Sequence, residues 1–342
     1  MYRVTNNNQS DLGQIVDIYN HITGRNRTVA LHRWEWFESP YENKSYVIID
    51  KDDNVLGHHG ILTIGIDYKD KQYIAGKTEN TIMKKEYGPL YFKNEKEMHA
   101  EYSENYDILI TTSAIEITKK IRSKLGYTVF SEPVTYIKIV DTKIILEKIR
   151  NQFLKKTFNI FFPLMNIFLW SKKVNNTLEA KIHPILNQDI KEIQKFYEKI
   201  KEKFGFIQRR EANFLQYRIL DNPYNTFSIL KLYDQDDLKG YLVFYRKNDK
   251  IYIEDILFEN EQYKSELLNH LFNYVKRKKI GTAIVLVTLV DSILDKPLKG
   301  YFRRTVPNTS YFMIKNNIEQ KEKDDFIIQN FYFTKLMTEG IQ

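Results

Sequence analysis

The sequence predicts an α/β protein with mixed sheets and packed helices, built as two related domains in tandem. Three observations carry that prediction. At 342 residues the chain exceeds the size at which one hydrophobic core usually keeps growing. Apolar runs of strand length alternate with amphipathic runs of helical period. An internal repeat then relates the halves: Trp34, Pro40, Tyr41, Asp53 and Gly57 recur at a constant offset of 183 residues as Tyr217, Pro223, Tyr224, Asp236 and Gly240.

Composition narrows the functional classes. The chain has no cysteine, which excludes disulfides, thiolate metal sites and a cysteine nucleophile. Aromatic residues make up 14% and Gly and Pro are few, so an ordered globular chain is expected. The net charge of +8 suits phosphate-bearing ligands, nucleic acid or an anionic membrane surface without choosing among them. Asn6, Asn7, Asn8, Asp11 and Asp17 interrupt the N-terminal stretch, which leaves no apolar signal-peptide core; a cytoplasmic location is the expectation.

In chain order, Tyr2 to Thr5 reads as a strand and Asp11 to Asn20 as a helix with Leu12, Ile15, Val16 and Tyr19 on one face. Trp34-Glu35-Trp36-Phe37 and Ser39-Pro40-Tyr41 follow, then strands Ser45 to Ile49 and Val55 to Ile66 around an Asp52-Asp53-Asn54 turn. A run from Gln72 to Ala75 leads into Glu79 to Tyr102, read as strand, Gly88-Pro89 turn and helix. There Ile82 and Met83 run through Lys84 and Lys85 toward the first N–H groups of a helix, which are free donors able to hold a pyrophosphate. Tyr106 to Thr111 reads as a buried strand and Ile115 to Leu125 as a helix closed by Gly126.

The second copy repeats this order, with strand Ile251 to Leu257, helix Ser265 to Lys276, strand Ala283 to Thr288 and a last strand Tyr311 to Ile314. The expected division is a first domain at 1–140, a helical linker at 141–178 and a second domain at 179–342. Within the linker, Phe158 to Trp170 is apolar and flanked by lysine pairs. It is too short to span a bilayer, and suits either an in-plane membrane contact or a helix buried between the domains.

WEWFESPY, VLGHHGILTI, ENTIMKKEYG and YDILITTSAIEITKKIRSKLGY together resemble the GNAT superfamily of acyl-CoA-dependent N-acyltransferases. The likeness is to the tandem form found in bacterial surface-polysaccharide clusters, and more distantly to Fem-type aminoacyl transferases. It implies two GNAT-like domains and an acyl-CoA co-substrate. The implied contacts are pantetheine along Thr81, Ile82 and Met83, and pyrophosphate near Lys84, Tyr87, Gly88 and Leu90. The sequence departs from the family's turn, since only one glycine is present and Pro89 removes an amide donor. Arg122 stands four residues before Gly126, where many relatives place a tyrosine acid; an arginine there would stabilise a thiolate by charge.

Acyl transfer to an amine needs a base for the ammonium proton, and Glu79 on the strand beside the implied thioester is the candidate. Glu254 and Asp255 hold a similar place in the second copy. Its turn, Phe258 to Lys264, has no glycine and carries two glutamates, so no CoA is expected there. His58 and His59 point to opposite faces of their strand, and no metal-like spacing accompanies them. His99 and His270 fall in helices and read as surface or half-buried residues. The expected acceptor is a small-molecule amine, such as an amino group of a nucleotide sugar or glycan precursor. The rival readings are a Fem-like transferase that uses charged tRNA, for which the positive charge would serve the RNA, and a GNAT-fold binding protein without catalysis.

Overall fold

Runs rich in Val, Ile, Tyr and Phe become strands, and the amphipathic runs between them become the helices that cover the sheets. The structure, a computed structural model, describes residues 2–7, 11–113, 116–141, 154, 173–295, 298, 301–304, 311–318 and 331–337. The apolar stretch at 158–170, with its expected membrane or linker role, lies outside the described residues. No described helix is long and apolar enough to cross a membrane.

The elements in chain order are β1 (Tyr2–Asn6), α1 (Leu12–Thr23), α2 (Val29–Phe37), β2 (Lys44–Asp50), β3 (Val55–Tyr68), β4 (Lys71–Met83), α3 (Tyr91–Ser103), β5 (Ile108–Ser113), α4 (Glu116–Lys124), β6 (Thr128–Ser131) and β7 (Pro133–Ile139). They continue as β8 (Leu178–Pro184), α5 (Asn187–Ile200), β9 (Ile207–Gln208), α6 (Ala212–Leu215), β10 (Phe227–Asp234), β11 (Asp237–Lys247), β12 (Lys250–Phe258), α7 (Glu261–Lys278), β13 (Ala283–Leu289), β14 (Phe302–Arg304) and β15 (Tyr311–Asn316).

These form two compact units. The first takes Met1–Pro133, Lys201–Arg209 and Val306–Tyr332, and the second takes Val134–Ile200, Arg210–Thr305 and Phe333–Gln342. Among the described residues the first unit's sheet runs β1-β2-β3-β4-β5-β15-β6 with β9 attached to β3, and the second runs β14-β7-β13-β12-β11-β10-β8. Strands β9 and β15 thus join the first sheet although they follow the repeat's midpoint, and β7 joins the second although it precedes it. The contiguous boundaries at 1–140 and 179–342 are crossed at these strands. An unpaired sheet edge offers backbone donors and acceptors to any segment that reaches it, whatever its place in the chain.

Local chemistry explains the element ends. Thr28 caps α2 by accepting from the Leu31 N–H at 3.1 Å. Gly126 closes α4 at φ 90°, where the Tyr127 N–H returns to the Arg122 carbonyl at 3.1 Å. The run at Gln72 leads into the strand of Glu79 as expected, since β4 is continuous from Lys71 to Met83. One difference from the sequence reading concerns the turn that follows. The expected Gly88-Pro89 turn is one part of a 3₁₀ segment, Lys85–Leu90, which feeds directly into α3. Proline fits that geometry, since its fixed φ is helical.

The first unit's core has two sides. On one, Ile15, Ile18 and Tyr19 of α1 pack with Val47, Ile49, Val55 and Ile82. On the other, Met98 and Tyr102 of α3 pack with Tyr46, Ile61, Leu109 and Met313. The functional candidates of β4 divide between these faces.

Candidate functional site

Strands β4 and β5 run parallel and pair from Ala75–Ile108 to Thr78–Thr111, and there the pairing stops. β4 continues to Met83 with no partner on that side among the described residues, while β5 turns its other edge to β15. The result is a gap between two parallel strands, walled by the free backbone edge of residues 79–83.

A bulge shapes this edge. His58 faces Ile82 and Gly60 faces Glu79 across β3–β4, so the single residue His59 stands opposite both Asn80 and Thr81. Asn80 takes φ 50°, a left-handed conformation that asparagine tolerates better than most residues. The extra residue puts Glu79 and Asn80 on the same face of the sheet. Asn80 Nδ2 donates to Glu35 Oε2 of α2 at 3.0 Å. Glu79 lies opposite Gly60, where a Cβ would come within 2.1 Å of the Trp36 ring of α2. Both therefore face α1 and α2, while Thr81 turns to α3.

Behind Asn80 the α2 face is a buried polar network. Arg27 forms an ion pair with Glu35, both buried, and the Arg27 guanidinium also covers the Tyr19 ring at 4.9 Å. His58 Nδ1 meets the Asn80 carbonyl at 2.9 Å and Nε2 meets the Ser45 hydroxyl at 2.9 Å, so the carbonyl fixes the proton on Nδ1 and Ser45 donates. Burial then holds the His58 imidazole neutral, pushed down to about 3, and pushes His32 further down still.

On the α3 face, His59 Nδ1 lies 2.8 Å from Glu95 Oε1 and 3.0 Å from the Thr81 hydroxyl. Arg122 reaches the other Glu95 oxygen at 2.7 Å and donates to Tyr102 Oη at 3.2 Å. Burial alone would raise the Glu95 carboxyl, but Arg122 and His59 outweigh it and hold the group at about 2. His99 is buried beside Tyr102 and Tyr127, correcting the expectation of a surface or half-buried helical residue; burial pushes it down to about 4.

The structure brings Glu79, Thr81, Ile82 and Met83 together on one strand edge, and distributes the other candidates around it. Glu79 is half-buried, its carboxylate ion-paired with the fully buried Lys77. Ile82 is packed under α1, and Met83 stands opposite Gly57. The Lys84 side chain lines a shallow pocket with Gln14, Asp17, Ile18, His21 and Val55. The Tyr87 N–H is engaged by the Lys84 carbonyl at 3.0 Å. Gly88 is exposed, and Leu90 precedes α3 with no side-chain cap on that helix. Arg122 is 1% exposed and committed to Glu95 and Tyr102.

The second unit repeats the frame with different occupants. β12 and β13 pair in parallel from Lys250–Ala283 to Tyr252–Val285 and then part, and a bulge again breaks the antiparallel register, between Val243 and Phe244. Gly57 faces Met83 and Gly240 faces Phe258, which aligns Glu79 with Glu254 and Asn80 with Asp255. Arg210 binds Asp255 at 2.8 Å and Arg218 binds Glu254 at 3.2 Å. The chain's own segment at 333–337 spans this parting: Thr334 donates to Asp255 at 2.9 Å, and the Phe333 carbonyl accepts from Thr288 of β13 at 3.3 Å. Asn260 caps α7 by accepting from the Tyr263 N–H at 3.1 Å, and Glu261 follows in its first turn.

Sequence reasoning missed Lys77, Asn80 and the buried Arg27, Arg210 and Arg218. Arg27 and Arg210 share the repeat's 183-residue offset, so the signal was present in the alignment of the two copies. Among the described residues no group of three or more His, Cys, Asp or Glu side chains is placed to hold a metal ion.

No family model and no curated protein sequence matches the chain. Solved structures do. A conserved protein from Enterococcus faecalis V583 with a suggested N-acyltransferase activity superposes with TM-score 0.64 at 12% identity, over 93% of this chain and 74% of that one. A GCN5-related N-acetyltransferase from Anabaena variabilis gives TM-score 0.64 at 13% identity, over 93% and 73%. Saccharomyces cerevisiae N-myristoyltransferase with bound myristoyl-CoA gives 0.60 at 10%, over 92% and 82%. With its parted parallel strands and bulged β4, the chain has the fold of the GCN5-related N-acetyltransferases.

Proposed function

We propose that the chain is an acyl-CoA-dependent N-acyltransferase whose first unit holds the acyl-CoA and delivers the acyl group to an amine. One observation carries the reading: β4 and β5 part after Thr78–Thr111, and Glu79 is the first residue of the free β4 edge. An extended pantetheine arm, with amide donors and acceptors, suits such an edge as an added strand would. The myristoyl-CoA bound to the yeast enzyme of the same fold supports the class of ligand.

In this reading the backbone of Thr81, Ile82 and Met83 aligns the arm. Lys84 and Lys85, with the uncapped start of α3, supply the positive field for the pyrophosphate. The engaged Tyr87 N–H is not one of the donors. Glu79 faces the α1–α2 side and takes the proton from the acceptor ammonium, so that the amine attacks the thioester carbonyl and the thiolate leaves. The second unit contributes no CoA site, because its own segment spans the parted strands and Asn260 and Glu261 occupy the helix start. An amino group of a nucleotide sugar or glycan precursor is the acceptor class we favour.

The test is calorimetric titration with acetyl-CoA and longer acyl-CoAs, followed by turnover with amino-sugar acceptors. Binding is expected at one site per chain. Glu79→Gln is expected to lower kcat by about 10²–10⁴-fold with little change in acyl-CoA affinity. No binding of any acyl-CoA would overturn the reading.

A further inference from the structure

Lys77, just before the free strand edge begins, has no role in the transfer reaction proposed above. It sits on β4 two residues before Glu79 and pairs with Ile110, one step short of the last β4–β5 pair. Residues two apart on a strand share a face, and the lysine stem carries its ammonium along β4 to the Glu79 carboxylate. The side chain is 0% exposed, so this amine is held at the first residue of the gap and away from solvent. An ammonium in such a place is costly to keep charged unless paired, and it pairs with the same carboxylate we assign as the base.

The second unit places an amine at the corresponding carboxylate by a different route. Lys77's own counterpart in the strand is Tyr252, yet Glu254, the counterpart of Glu79, has the ammonium of Lys335 at 3.8 Å. A lysine thus meets this glutamate in both units although it comes from unrelated positions.

We propose that Lys77 is itself an acyl acceptor, modified on Nζ by the acyl-CoA held against β4. The inference rests on the acyl-CoA reading of the first unit. In the step, Glu79 takes a proton from the Lys77 ammonium, the freed amine attacks the thioester carbonyl, a C–N bond forms and the C–S bond breaks. Of the two protons the nitrogen loses, one passes to the thiolate to give CoA thiol and one is released. The product is a neutral amide, and Glu79 loses its resident cation. The modification therefore clears the carboxylate for an external amine.

The experiment incubates the full chain with acetyl-CoA and maps adducts by intact-mass and peptide mass spectrometry, with calorimetry on the same preparation. The expected result is one acetyl group per chain on Lys77, absent in Lys77→Arg and formed about a hundredfold more slowly in Glu79→Gln. Lys335 stays unmodified. Because the mapping is done on the unaltered chain, it stands even where the buried Lys77→Arg variant folds poorly. Binding of acetyl-CoA with no adduct, or with adducts on exposed lysines such as Lys51 and Lys93, overturns this inference and leaves the acyl-CoA reading intact. Absence of binding overturns both.

Discussion

Replacing Arg122 by methionine tests whether this residue is a structural cation rather than a thiolate-stabilising one. Arg122 and Glu95 are 1% and 0% exposed at the side chain, and they meet at 2.7 Å. Removing the guanidinium leaves Glu95 buried with the imidazoles of His59 and His99 near it, and takes away the donor to Tyr102. Breaking a buried pair from one side costs about 3–5 kcal/mol, because the remaining charge keeps its desolvation penalty. A double variant, Arg122→Met with Glu95→Leu, removes both charges and is expected to recover most of that loss. The assay is urea unfolding of the full chain followed by tryptophan fluorescence, since two of the three tryptophans, Trp34 and Trp36, lie in the first unit. The pH dependence gives a second readout. In the native chain the Glu95 carboxyl is held at about 2, so its stabilisation is present above the unfolded value and lost only as the pH falls toward 2. In the single variant the Arg122 contribution is gone while burial remains, so the folded value rises and the deficit relative to the native chain grows as the pH climbs from about 2. A loss below about 1 kcal/mol, or a double variant no more stable than the single, would refute the argument.

The other predictions concern packing, acid stability and capping. Gly60→Ala places a methyl 2.1 Å from the Trp36 ring and should cost about 1–3 kcal/mol, seen as a lower Tm; an unchanged Tm contradicts the packing. His58 and His99 are buried and held down to about 3 and 4, so the unfolded chain takes up protons first as the pH falls below about 6.5. Stability should then drop by up to about 1.4 kcal/mol per pH unit for each histidine, before the carboxylates titrate. Flat stability between pH 6.5 and 5 would show that these rings are not buried neutral. Asn260→Ala should cost about 1 kcal/mol in the second unit by removing the α7 cap, measured by hydrogen exchange at its first turn.

Much of the frame was legible because it is written in local patterns. Gly57 and Gly240 recur at the repeat offset, and each lets a neighbouring strand pass too closely for a Cβ: one would lie 2.8 Å from the Ile82 carbonyl, the other 3.0 Å from that of Leu257. The strand–helix order around them follows from periodicity. What the sequence hides is pairing between distant segments. Two-residue β9 has no period to detect, and its place on β3 is fixed by contacts such as Arg209, whose N–H reaches the Gly65 carbonyl at 2.9 Å. The candidate site was legible as a location, from Glu79 to Met83, more than as chemistry. Asn80 reads as an ordinary strand residue until pairing forces it into a left-handed bulge, and Arg122 looks available in the sequence while α3 buries it against Glu95. Lys77 could have been found, since a lysine two residues from a glutamate on a strand shares its face.

The central claim is that the parted β4–β5 edge holds acyl-CoA. Native mass spectrometry of freshly purified chain, before and after addition of acyl-CoA, tests it most directly. The account predicts one acyl-CoA per chain, with the second unit's parted strands contributing no further site. Two equivalents per chain would contradict the assignment to the first unit, and no retained or added CoA species at all would contradict the claim itself.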